Sequence, residues 1–127
     1  MISRRPLLAG LALAMLGPRV EGMPMEESIL YGLIGKIKAR AGMRAALIDI
    51  LTGGSDAMPG CLVYIVAEDS KDPDGIWISE VWDSKASHDA SLNLPGVKVA
   101  IGQGRAMILG FESSVETRPL SLGIARE

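Results

Sequence analysis

The chain holds a single histidine, His88, and two tryptophans, Trp77 and Trp82, all within residues 75–95, GIWISEVWDSKASHDASLNLP. An imidazole with its ordinary pKa near ~6.5 moves protons at neutral pH, and an indole stacks on planar ligands. Any chemistry that needs either group happens in this stretch. Glu80 adds a carboxylate to it, Ser91 and Asn93 add hydrogen-bonding groups, and Tyr64 brings a phenol from further upstream. Cys61, the only cysteine, has no partner for an internal disulfide. One Cys and one His cannot by themselves make a zinc or iron–sulfur site. No ligand pattern for a carboxylate-only Mg²⁺ or Ca²⁺ site is visible, and Gly102-Gln103-Gly104 lacks the strand–loop–helix setting of a phosphate cradle.

Each of these residues also has a plainer reading. At helical spacing His88 shares a face with Ser91 and Leu92, and that face is either the rim of a pocket or solvent. Trp82 is either an ordinary core anchor or a stacking platform. Glu80 alternates in step with Ile76, Ile78 and Trp82, so if buried it needs a partner such as Arg or Lys. It serves either as a structural acceptor or as an acid–base group. Tyr64 reads as a core residue with a locally satisfied hydroxyl, and Cys61 as a small buried apolar residue.

The elements that must position these groups follow from periodicity. Residues 29–41 (ILYGLIGKIKARA) form a strand ended by Gly42. Met43, Leu47, Ile50 and Leu51 then fall on one side of a helix over residues 43–51, which Gly53-Gly54 stops. Met58-Pro59-Gly60 turns the chain into a strand over 61–68 (CLVYIVAE), apolar on both alternating faces and so expected to be covered on both. DSKDPDG (69–75) is a polar hairpin loop. A strand places Ile76, Ile78, Glu80 and Trp82 on one face. Asp83 or Ser84 caps a helix running to about Leu94. Pro95 either stops that helix or starts a third, short one carrying Val97, Ala100 and Ile101 and weakened by Gly102 and Gly104. A last strand covers 106–111, and the tail from Ser113 lacks periodicity.

The order β-α-β-β-α-(α)-β is that of the α+β, ferredoxin-like split βαβ arrangement, a four-stranded antiparallel sheet with its helices on one face. No helix remains for the second face, so a second copy of the sheet is the expected cover.

The chain is 127 residues long, 48% apolar and 4% aromatic, with a formal charge of −2, enough for one domain with a two-layer core. No basic block or aromatic-interleaved basic stripe is present, which argues against nucleic acid as a partner. Residues 1–22 read as a leader. Arg4 and Arg5 precede an apolar run too short to span a bilayer, in a pattern resembling a twin-arginine export signal, although a small-x-small cleavage site is missing. The expected location is therefore exported or periplasmic, without stable membrane insertion. A start at Met23 or Met25 would instead leave the protein cytoplasmic. Without residues 1–22, which hold Arg4, Arg5, Arg19 and Glu21, the chain carries about −4. The division expected is leader 1–22, linker 23–29, domain 30–112 and tail 113–127.

Several short segments carry a family likeness. Tyr31-Gly32-Leu33-Ile34-Gly35-Lys36 opens the first strand, and Met58-Pro59-Gly60-Cys61 precedes the second. Glu80-Val81-Trp82-Asp83-Ser84 is followed by Ser87-His88-Asp89-Ala90-Ser91-Leu92 and Leu94-Pro95, with Gly104-Arg105 and Gly110-Phe111 near the end. Together, over roughly residues 30–111, they resemble the antibiotic biosynthesis monooxygenase family in its quinol monooxygenase branch. The resemblance implies a dimeric α/β barrel with one pocket per subunit between sheet and helices. It also implies oxidation of a quinol- or anthrone-like phenol by O₂, often without metal, flavin or haem, so no cofactor is expected. Many members carry a histidine where this chain has Ser91, and another where it has Gly96. The asparagine, tryptophan and histidine of haem-degrading relatives correspond to Gly35, Ser91 and Ile101, which leaves iron without an axial imidazole.

Chemistry of that kind needs a dry pocket, a base for the phenolic proton and donors for the oxyanion that forms. On this reading His88 is the base, Trp82 stacks on the substrate, and Glu80 completes the catalytic group. Tyr64, Ser91 and Asn93 bind the substrate. The alternative is a non-catalytic dimeric module of the same fold that binds a small hydrophobic ligand or serves in a stress response.

Overall fold

The structure, a computed structural model, describes residues 29–53 and 58–123. The leader, nearly all of the linker, Gly54 of the helix stop and the last four residues of the tail lie outside the described residues. The elements are β1 (Tyr31–Ala39), α1 (Arg44–Gly53), β2 (Cys61–Glu68), β3 (Gly75–Trp82), α2 (Lys85–Ser91), α3 (Pro95–Arg105) and β4 (Ile108–Thr117). The strands form one antiparallel sheet in the order β2-β3-β1-β4. This is the expected ferredoxin-like arrangement, with three helices on one side of the sheet.

Register places the alternating residues of each strand. Tyr31 lies opposite Trp82, Leu33 opposite Glu80, Gly35 opposite Ile78 and Ile37 opposite Ile76, so these pairs share the helix-covered face. Ile37, Ala39, Leu47 and Ile76 form the buried core, with Met43, Ile48, Leu51, Val66, Ile78, Met107 and Ile108 packed around it. Leu47 on α1 is wholly buried, and truncating such a leucine costs about 2–5 kcal/mol. α3 comes close to it at Gly104, where a Cβ would stand 3.1 Å from Leu47 Cδ1. Gly104 therefore permits helix packing here rather than marking a weak helix, and α3 runs through both glycines to Arg105.

β1 (Tyr31–Ala39) and α1 (Arg44–Gly53) lie within two residues of the expected 29–41 and 43–51, and the boundaries of α2 and β4 differ in ways that have a local cause. α2 ends at Ser91 instead of near Leu94, because the residue before a proline is pushed out of the helical region; Leu94 is extended, with ψ 136°, and Pro95 opens α3. β4 starts later than residue 106, since Ala106 caps α3 and the Met107 N–H donates to the Gly104 carbonyl. It also ends later than 111. Residues Ser113 to Thr117 pair with Lys36 to Gly32, so the expected start of the tail belongs to the sheet.

The 69–74 loop is held by its own carboxylates. Asp69 accepts from the Lys71 and Asp72 N–H groups and from the Trp77 indole, and Asp72 accepts from Asp74 N–H and from Lys38. Arg44 of α1 donates to the carbonyls of Asp69, Asp72 and Gly75, fastening the loop to the helix layer.

On the other side of the sheet the cross-strand row Ile65–Ser79–Ile34–Val115 has no cover among the described residues, and its three apolar members are 52, 39 and 51% exposed. The helix-facing side is only partly closed. Among the described residues, no helix is long and apolar enough to cross a membrane.

Candidate functional site

Between the sheet and the helices lies a cavity of about 670 Å³, within the ~300–1,000 Å³ usual for small-molecule sites. Its walls are mostly aliphatic and aromatic. The chemistry-bearing groups on them include Tyr64, Glu80, Trp82, His88, Ser91 and Arg105. The fold thus brings together five of the six residues expected at the site. The exception is Asn93, which stands exposed in the turn after α2 and lies off the cavity wall. Its backbone N–H closes that turn on the Ala90 carbonyl.

α2 exists where it does because Ser84 caps it. The Ser84 hydroxyl accepts from the Ser87 N–H at 3.0 Å, satisfying a first-turn donor. The helix then turns His88, Ser91 and Leu92 toward the cavity. The His88 side chain is only 14% exposed, which removes the solvent-facing reading. Its ring meets Trp82 edge-on, centroids 5.4 Å apart, and Tyr31 at a tilt, centroids 5.2 Å apart. On its outer side Nδ1 lies 3.1 Å from Asp89 Oδ1. The Lys85 ammonium, 2.9 Å from Asp89, is the main cause holding that carboxyl below its ordinary pKa, so it is ionised at neutral pH. An ionised carboxylate only accepts, so Nδ1 carries a proton, and in the neutral ring Nε2 is the atom with the lone pair. That is the tautomer a general base requires.

Trp82 is 1% exposed, so it is a core anchor that also forms cavity wall. Its indole N–H donates to Glu80 Oε1 at 2.8 Å. Glu80 therefore has a hydrogen-bond partner, but the expected Lys or Arg is absent among the described residues. Its charge is felt nearby. Burial first, then the Glu80 charge, pushes the Tyr64 phenol up to about 12 and also raises the Cys61 thiol. Tyr64 is thus a neutral donor at physiological pH. Its hydroxyl has no hydrogen-bond partner among the described residues, contrary to the expectation of local satisfaction. Cys61, which is half-buried, stays a protonated thiol at neutral pH.

Ser91 is 4% exposed and its hydroxyl donates to the His88 carbonyl at 2.6 Å. With its proton committed to the backbone, it offers a ligand only an acceptor. Tyr31 and Asp89 were not singled out from the sequence. Tyr31 reaches the imidazole only through its register opposite Trp82, and it donates to Glu116 on β4 at 2.7 Å. Among the described residues, no three His, Cys, Asp or Glu side chains cluster as a metal site would need.

A split βαβ sheet with an apolar cavity on its helix side, edged by a tryptophan, an imidazole and a carboxylate, is a candidate site in a protein of the ferredoxin-like class. The chain belongs to the antibiotic biosynthesis monooxygenase family, whose pattern matches residues 30–103. It is similar to a solved structure from Chloroflexus aurantiacus provisionally assigned as an antibiotic biosynthesis monooxygenase. The two are 55% identical over 74% of this chain and 96% of that one, with a TM-score of 0.73. A provisionally assigned monooxygenase from Bacteroides thetaiotaomicron shares the fold at 17% identity and TM-score 0.67, over 77% of this chain and 96% of that one. A Pseudomonas aeruginosa protein does so at 22% and 0.59, over 76% of this chain and 98% of that one. Among curated proteins no match is found.

Proposed function

We propose that the protein is a cofactor-independent monooxygenase that oxidises a quinol- or anthrone-like phenol with O₂, and that it works as a homodimer. The observation that carries this reading is the His88 ring, held edge-on to Trp82 inside an apolar cavity with its Nδ1 toward an ionised carboxylate. In this mechanism Nε2 takes the phenolic proton, because a phenolate gives an electron to O₂ far more readily than the neutral phenol. The planar anion lies against the Trp82 wall, and the Tyr64 hydroxyl donates to the charge that develops. Substrate radical and superoxide combine into a C–O bond. Cleavage of the O–O bond then leaves one oxygen atom in the product. The other departs as water with two hydrogens removed from the substrate.

The dimer is supported by the uncovered row of Ile34, Ile65 and Val115, which a second sheet would bury. Export by the leader is part of the same reading, motivated by Arg4, Arg5 and the apolar run after them.

Oxygen uptake with a panel of quinols is the test. The wild-type protein should consume O₂, and His88→Ala should lower turnover by about 10²–10⁴. Equal turnover in the variant removes the base. If quinols quench Trp fluorescence but no O₂ is consumed, the non-catalytic binding module is correct instead.

A further inference from the structure

The cavity extends well beyond the groups that could do chemistry. Trp82 pairs with Tyr31 at one end of β1, and Phe111 pairs with Ile37 toward the other. From Tyr31 to Ile37 the strand advances about 20 Å at ~3.3 Å per residue. Trp82, His88 and Phe111 nevertheless line one continuous cavity, with Leu109 beside Phe111 on β4 also on its wall. Tyr64, Glu80, His88 and Ser91 gather at the first end, where Glu80 and Tyr64 are direct cross-strand neighbours, while Arg105, exposed at the end of α3 just before β4, is the one charged lining group toward the other.

At the second end Phe111 and Leu109 are 72% and 60% exposed, unusually open for large apolar residues on a cavity wall. A bulge in β4 at the Lys36/Ile37 step returns Phe111 to the helix-side face, opposite the buried Ile37. A lone phenolic ring placed at His88 leaves this lip empty.

Taking Trp82, His88, Glu80 and Tyr64 as the head-group site, we infer that the ligand is an elongated amphiphile. Its phenolic head sits at His88, and an alkyl or isoprenoid tail runs along the cavity to cover Leu109 and Phe111. The head supplies orientation through Glu80 and Tyr64, and the tail supplies most of the affinity through apolar burial.

The test uses the full chain under anaerobic conditions, so that binding is read without turnover. Trp fluorescence gives the Kd for 1,4-hydroquinone and for its butyl, octyl and decyl derivatives. Affinity should rise about two- to fourfold per methylene while the tail lies within the cavity. The ratio of decyl to unsubstituted affinity should fall at least tenfold in Leu109→Ser/Phe111→Ser, and Phe111→Leu should keep most of it. A Kd independent of tail length in the wild type overturns the inference, as does an unchanged ratio in the double variant. A double variant that changes protomer number and leaves the ratio intact also overturns it, because the lip is then a protein interface. Loss of O₂ uptake with tail dependence intact defeats the oxygenase reading alone. O₂ uptake without tail dependence defeats only the tail.

Discussion

Trp82 and His88 meet edge to face, their ring planes at 82°. The pair joins the end of β3 to the middle of α2, and Tyr31 of β1 packs against the same imidazole. Three elements distant in sequence or direction thus set the angle of one ring, while Asp89 sets its tautomer.

Asp89 is a positioning residue, and its share is small because it is half-exposed. An ion pair of that exposure is worth at most about 1 kcal/mol, so Asp89→Asn should lower kcat no more than about fivefold. KM should hardly move. A loss as large as that of His88→Ala would mean that Asp89 does more than orient the ring.

Tyr64 supplies an alkaline signature. Its pKa is raised to about 12, so its contribution to stability is whole below ~10, the unfolded value, and is lost as pH rises through about 12. Ultraviolet titration of native protein should show no tyrosinate near pH 10, since burial also raises Tyr31. Glu80→Gln should move the Tyr64 midpoint down without bringing it to the ordinary value, because burial is the larger cause. Tyrosinate appearing at pH 10 in the native wild type would contradict the buried placement of the phenol.

The acid limb belongs to the loop between β2 and β3. The Lys71 N–H and the Trp77 indole hold Asp69 at about 2, and Lys38 holds Asp72 lower still. Depressed carboxyls contribute stability above ~4 that is lost as pH falls through their folded values. The urea midpoint should therefore drop between about pH 4 and 2 and decline less steeply in Asp69→Asn. An identical acid profile in that variant would place the acid sensitivity elsewhere.

The uncovered sheet face predicts assembly. Light scattering should give the wild-type protein twice the chain mass, and Ile65→Glu should halve it while circular dichroism stays the same. A monomeric wild type at micromolar concentration would remove the barrel from the proposal.

Local chemistry made much of this readable in advance. The period of two in GIWISEVW, the Ser84 cap and the Pro95 start depend only on neighbours in sequence. The facing of His88 did not, since it depends on the register that sets Tyr31 opposite Trp82. Gly104 suggested a frail helix when considered alone, and only the closeness of Leu47 explains it. Residues 113–117 (SSVET) carry no apolar rhythm because β4 is an edge strand, largely exposed and held by its ladder to β1. Asn93 shared a stretch with the site residues but lies past the end of α2, in the exposed turn whose backbone it closes on Ala90.

Gly60 makes one end of the molecule unyielding. It holds φ at +87°, a left-handed angle natural to glycine, with its carbonyl taking the Asp83 N–H at 2.8 Å. A Cβ there would stand 2.6 Å from Ser87, so the turn before β2 and the first turn of α2 are fitted without slack. The wall that carries His88 is thereby pinned at its root. A visitor to the hollow finds its doorstep at the opposite end, on β4, where two large greasy side chains stand open to water.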